Sequence, residues 1–228
     1  MKGIIFTELV GFLDHAGGPD FAEKVLEDGG LPHGGAYSRV ARYPWQEAVR
    51  VVEAASRETG AEFSDLCQQF GAYLFERFTV LYPEIIGRYS DAEALLSHVE
   101  DHIHEEVKAL YPDARPPSVR VHDDGDFLRV EYASHRPFAH IAHGLVAGAM
   151  THFGDARKLE WLYAKNDGAH AEFALNRGAQ VLAHAVGRRG ALLEARDVAL
   201  RREGERQHVA LEGDRRGRVD DGPRAAAN

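Results

Sequence analysis

A single cysteine, Cys67, stands in 228 residues, so neither a disulfide framework nor a cysteine zinc site is available. No apolar run approaches the length of a membrane span. The opening MKGIIFTELVGFL carries an early lysine but is soon broken by Glu8, and it leads into a helical pattern rather than a cleavage site. Basic residues are outnumbered, 27 against 36, and a net charge of −9 excludes the basic footprint of a general nucleic-acid binder. No internal repeat is visible. The simplest reading of these absences is a reduced cytoplasmic protein that works on neither nucleic acid nor membrane.

Charge is unevenly spread. Residues 178–228 hold ten arginines and eight acidic residues with no lysine and no aromatic residue, a local balance of +2 that leaves −11 for residues 1–177. The composition changes near Arg177, which marks the expected boundary between a domain at 1–177 and an arginine-rich extension at 178–228. Within the extension, LLEARDVALRREGERQ carries charges at helical spacing, whereas GDRRGRVDDGPRAAAN reads as disordered.

Up to about residue 112 the apolar spacing is helical. PWQEAVRVVEAASRETG ends in a stop glycine, and EFSDLCQQFGAYLFERFTVLYP ends in a stop proline. SDAEALLSHVEDHIHEEVKALYP begins with a capping-type Ser90 and ends at Pro112, which predicts one continuous helix. After Pro117 the period changes to two. SVRVH and FLRVEYAS flank DDGD, while KLEWLYA and EFALNR flank KNDG, and each set predicts a hairpin. Between them PFAHIAHGLVAGAMTHF predicts a helix with Pro137 at its start. The expected class is α+β: an N-terminal helical subdomain packed on a C-terminal subdomain with a four-stranded antiparallel sheet.

Two constellations carry chemistry. In EYASHRPF, Tyr132, Ser134 and Arg136 alternate, so on an extended segment all three point to one side. A guanidinium fork and two hydroxyls suit a target with several acidic oxygens. A strand edge with a polar solvent face would show the same alternation. In HVEDHIH, three of the 13 histidines cluster at His98, His102 and His104. His98 and His102 share a helical face with Glu105 or Glu106 within reach, a zinc pattern whose order differs from the familiar helical zinc hydrolases. Taken at about 100° per residue, the stripe Leu96, Val99, Ile103, Val107, Leu110 is flanked by His102 on one side and His104 on the other. Periodicity leaves both open as pocket histidines, and leaves surface decoration open too. A single axial ligand to haem iron is the third reading, since haem needs one histidine, an apolar slot and polar groups for two propionates.

With MKGIIFTEL at the start, HEEVKALYPDARPPS after the histidines and the triad in YASHR, the sequence resembles the haem nitric oxide/oxygen binding (H-NOX) family. The resemblance covers residues 1 to about 177. It implies haem b (iron protoporphyrin IX) buried between the two subdomains and places the metal ligand at His104. It implies Pro117 as the proline that presses on the haem, and Tyr132, Ser134 and Arg136 as the propionate ligands. Ile5, Leu9, Leu74, Phe78 and Ile141 complete the implied pocket. Oxygen binders of the family carry a tyrosine at the position of Ile141, and a tryptophan and an asparagine at the positions of Leu9 and Leu74. The resemblance therefore implies a nitric oxide sensor, open to carbon monoxide, that rejects oxygen. His140 and His143 are the nearby groups that would spoil that selectivity if they reached the pocket.

The family further implies signalling by loss of the His104–iron bond and a partner such as a histidine kinase or a cyclic-dinucleotide enzyme; the 51 residues after Arg177 are too few for a kinase or cyclase domain, so no enzymatic activity is expected of the chain itself. Gly71 and Gly144 read equally as pivots or as sites of close packing. A haem-free protein-binding scaffold and a zinc hydrolase on His98, His102 and Glu106 are the competing expectations.

Overall fold

The computed structural model describes residues 1–177. Four helices build the first half: α1 (Gly3–Gly17), α2 (Pro19–Asp28), α3 (Trp45–Thr59) and α4 (Phe63–Leu81). Their apolar faces meet in one cluster that includes Phe6, Leu9, Leu13, Val25, Val51, Leu66 and Phe70. Each such side chain, fully withdrawn from water, contributes about 1.5–3 kcal/mol. α3 stops where its sequence says it must. Gly60 takes the left-handed conformation at φ 73° and returns its N–H to the Ser56 carbonyl.

Two carboxylates lie inside this helical half. Glu8, 5% exposed, is held by Arg77 at 2.8 Å and Arg39 at 3.3 Å. Glu47, 3% exposed, accepts from Tyr37 at 3.2 Å and contacts His33 Nε2 at 3.1 Å. Both are paired, as buried charge requires.

The second half is the expected strand-strand-helix-strand-strand unit. β1 (Ser118–Asp123), β2 (Phe127–Ala133), β3 (Lys158–Ala164) and β4 (His170–Asn176) form one antiparallel sheet in the order β1-β2-β4-β3. Alternate residues of β2, namely Leu128, Val130 and Tyr132, are buried, together with Phe173 and Leu175 of β4. Helix α8 (Ala139–His152) packs onto this second cluster through Ala139, Val146, Ala149 and Met150.

α8 also crosses α4 at very short range, and glycine makes that crossing possible. A Cβ at Gly71 would stand 2.2 Å from the Ile141 carbonyl oxygen, and one at Gly144 2.0 Å from that of Gln68. Of the two sequence readings, close packing is the one these contacts require at both positions.

Three local expectations need correction. The third helical segment is not continuous: after a short α5 (Pro83–Ile86) that precedes it, the segment divides into α6 (Ala92–Ser97), a π-helical turn over Val99–Ile103, and α7 (His104–Leu110). His98 leaves helical geometry at φ −111°, ψ 9°, and its carbonyl then accepts from both His102 and Ile103. The cap of α6 is Asp91, whose carboxylate accepts from the Ala94 N–H at 2.8 Å, while Ser90 supports Asp91 instead. α8 starts at Ala139 rather than Pro137, because the Phe138 N–H folds back to the Arg136 carbonyl and the Ala139 N–H is taken by Gly168. The extension at 178–228 lies outside the described residues.

Candidate functional site

Between the helical layer and the sheet lies a cavity of about 330 Å³. One wall comes from the helices, with Ile5 of α1 and Leu74 and Phe78 of α4. A second comes from α8, with Ile141 and Leu145. The opposite side is formed by Val99 and Ile103 of the π turn and His104 and Val107 of α7, continuing to Pro116 and Pro117. Tyr132, Ser134 and Arg136 close one end. Nine of the ten residues named from the sequence thus share one cavity. Leu9 does not: it is 1% exposed within the helical core and is absent from the cavity wall.

The triad does not sit on one strand. β2 ends at Ala133, so Tyr132 is its last inward residue, while Ser134 and Arg136 follow in the bend that leads to α8. The bend still turns all three to the cavity. Burial pushes the Tyr132 phenol up from its ordinary range and the Arg136 guanidinium down, with Arg42 adding to the latter. Arg136 reaches the Arg115 carbonyl at 2.6 Å and the His135 ring at 3.1 Å, but among the described residues it has no carboxylate partner. Arg115 and Lys2 line the same end. Lys2 and Arg42 share one carboxylate, Asp113, at 2.9 and 3.0 Å, and Lys2 also stands 5.0 Å from the Tyr111 ring. This end is therefore short of negative charge.

The three clustered histidines are placed differently. His104 lines the cavity with a side chain 12% exposed, whereas His98 and His102 are exposed, their rings 4.8 Å apart and tilted by 33°. Burial lowers the His104 pKa, with Glu100 opposing, so the ring favours the neutral form that a metal requires. Its Nδ1 stands 3.4 Å from the Glu100 carboxylate, leaving Nε2 for a ligand. For the zinc alternative, His98 Nδ1 is turned to the Ala94 carbonyl at 2.7 Å and Glu106 is paired with Arg88. Among the described residues no three histidine, cysteine or carboxylate side chains converge as a metal site.

His140 and His143 are also placed. Neither is on the cavity wall. His143 lies flat against the Trp161 ring of β3 at 4.8 Å and meets Phe173 edge-on, and its pKa is pushed down to about 4, mainly by burial and further by His140. His140 contacts Gln68 at 3.2 Å and Trp161 at 4.8 Å.

Apolar walls, one neutral histidine on one side and a cation with two hydroxyls at one end fit iron protoporphyrin: a disc whose iron takes an axial histidine and leaves a second axial site for a gas, with two acidic groups at one edge. The family model described as haem-NO-binding matches residues 2–160. The chain belongs to this family. Its members are haem-based gas sensors. Among solved structures, the unliganded Fe(II) H-NOX protein from K. algicida is 28% identical with a TM-score of 0.72, covering 79% of this chain and 98% of that one. The H-NOX protein from Shewanella woodyi, in its Fe(II)CO state, is 30% identical with a TM-score of 0.65, over 80% and 98%. The protein from S. oneidensis in the Fe(II)NO state, 24% identical with a TM-score of 0.69 over 76% and 97%, shares the fold. No curated protein matches the chain.

Sequence reasoning passed over Arg115, Lys2 and Glu100. Glu100 stands four residues before His104, the spacing of helical neighbours, and the more conspicuous pair Glu105 and Glu106 hid it.

Proposed function

We propose that residues 1–177 form a nitric oxide sensor that holds haem b, rejects oxygen, and passes its signal to a separate protein. The observation that supports this most is the apolar lining across the cavity from His104: Ile5, Leu74, Phe78, Ile141 and Leu145 offer no hydrogen-bond donor. Ferrous haem supplies the metal at which diatomic gases bind. Oxygen bound to iron carries partial negative charge and depends on a nearby donor, whereas nitric oxide depends on one far less. In this reading His104 is the iron ligand, and Tyr132, Ser134 and Arg136 hold the two propionates. Pro117, on the same side of the cavity as His104, would pack against the haem.

In this reading, release of His104 would carry the signal. His104 is the first residue of α7, directly after the π turn, so its freedom is the freedom of that segment. A partner reads the change only through contacts that differ between the held and freed states. A histidine kinase or a cyclic-dinucleotide enzyme fits that role, and the domain itself is a sensor rather than an enzyme. None of the described helices is long and apolar enough to cross a membrane, and a cytoplasmic location suits the single buried cysteine.

The test is an absorption spectrum of reduced, haem-loaded protein without oxygen, then in air, then with nitric oxide. The expected result is a histidine-ligated spectrum that air leaves unchanged and nitric oxide converts to one lacking the histidine ligand. A stable oxygen spectrum would remove the selectivity. Absence of any haem band after loading would favour the haem-free scaffold. His104→Gly should lose the histidine-ligated spectrum.

A further inference from the structure

The geometry points to Glu100 as a positioning residue that fixes the His104 ring and ties its segment to the sheet through one carboxylate oxygen. This rests on the reading of His104 as iron ligand. Glu100 Oε2 accepts from the backbone N–H of Val119 at 2.8 Å and stands 3.4 Å from His104 Nδ1. Val119 belongs to β1, the edge of the sheet, and its N–H points away from β2 toward the π turn. The shorter contact is the structural anchor, and the longer one aims the ring.

The chemistry follows from what a carboxylate can do. It only accepts hydrogen bonds, so the proton on a neutral His104 ring belongs on Nδ1 and the lone pair on Nε2, the nitrogen left for the cavity. A carboxylate on the far nitrogen of a ligating imidazole also makes the ligating nitrogen more basic, and loss of such partners typically weakens metal binding by roughly 10–100-fold.

The local backbone explains how the two side chains meet. Glu100 lies within the π turn and His104 is the residue that closes it, its N–H bonded to the Val99 carbonyl. Turns of this kind insert an extra residue into a helix and re-aim the side chains around it. The break that the apolar pattern did not forecast is thus where the ring, its carboxylate and the sheet are brought together.

Two substitutions separate aiming from anchoring. Glu100→Gln keeps a carbonyl oxygen for Val119 but loses the charge facing Nδ1, while Glu100→Ala loses both. The readout is the iron–histidine stretching band of the reduced, unliganded, haem-loaded protein by resonance Raman. Glu100→Gln should lower that frequency with thermal stability close to the parent. Glu100→Ala should lower it at least as far and speed haem transfer to an acceptor protein by roughly 10-fold or more. If both variants keep the parent frequency while His104→Gly loses the band, the inference fails and the His104 reading stands. If His104→Gly keeps the band, the His104 reading fails and takes the inference with it. Should Glu100→Ala not fold, Glu100→Gln alone decides.

Discussion

Gly144→Ala tests how the cavity is held open. Alanine is the better helix former by roughly 1 kcal/mol, so an uncrowded site would gain stability. Here the new Cβ would lie 2.0 Å from the Gln68 carbonyl oxygen, 2.8 Å from its carbon and 2.9 Å from the Gly71 Cα. All three are backbone atoms, so no side chain can rotate away. Side-chain carbons essentially never approach closer than 3.0 Å, and α4 and α8 must therefore separate by about 1 Å at the crossing. Gaps of that size forfeit a quarter to a half of the dispersion energy of the atoms along them, and the seam includes Leu74, Ile141 and Leu145. Overpacking of this kind costs about 3 kcal/mol. Set against the helical gain, the net loss is about 2 kcal/mol, or roughly 1 M in a urea midpoint for ordinary slopes. Urea titrations of haem-loaded parent and variant followed by far-ultraviolet circular dichroism measure it. A variant as stable as the parent would refute the close-packing argument, and a haem spectrum that also changes would show that the seam sets the cavity width.

Arg136→Ala removes a guanidinium at the cavity end that has no carboxylate partner among the described residues and should weaken haem retention about 10- to 100-fold, read as faster transfer to an acceptor protein; an unchanged rate would mean that the acidic groups lie elsewhere. Ile141→Tyr places a hydroxyl on the α8 wall and should give a haem-loaded protein that forms an oxygen spectrum in air, whereas a spectrum indifferent to air would put Ile141 away from the gas. His143 is held at about 4 against an ordinary 6.5, so the unfolded chain binds its proton more readily than the folded one. Its contribution is whole above pH 6.5 and drains as the pH falls through about 4. Denaturation across that window should show a shallower acid loss in His143→Gln, and an identical slope would contradict the burial of the ring.

The sheet was legible because its strands alternate and its turns carry DDGD and KNDG, and both hairpins stand where those signals fall. The long helices were legible from apolar spacing with a stop glycine or proline. The break between Ser97 and His104 was not, because its apolar residues keep helical spacing while the backbone changes its hydrogen-bond step. Spacing alone could not choose between His102 and His104 for the same reason: both flank the stripe, and only the path of the backbone puts one on the cavity and the other in water. Glu8 and Glu47 look like surface carboxylates until their arginine, histidine and tyrosine partners from distant segments are known. Leu9, likewise, faces the right way along α1 but lies too deep in the core to touch the cavity.

Val119 is paired with Tyr132 across β1 and β2. The residue that Glu100 grips is thus directly opposite the tyrosine at the cationic end of the cavity, and in the proposed reading the two grips on the haem would share a single pair of strands. Binding through two linked points makes the second an intramolecular event with a high effective concentration. In the proposed reading, Tyr132, Ser134 and Arg136 would keep their hold on the haem after His104 is released, so the ring would meet the iron again without a search through solution. Such a sensor would reset many times on one haem molecule, at a recovery rate independent of how much free haem surrounds it.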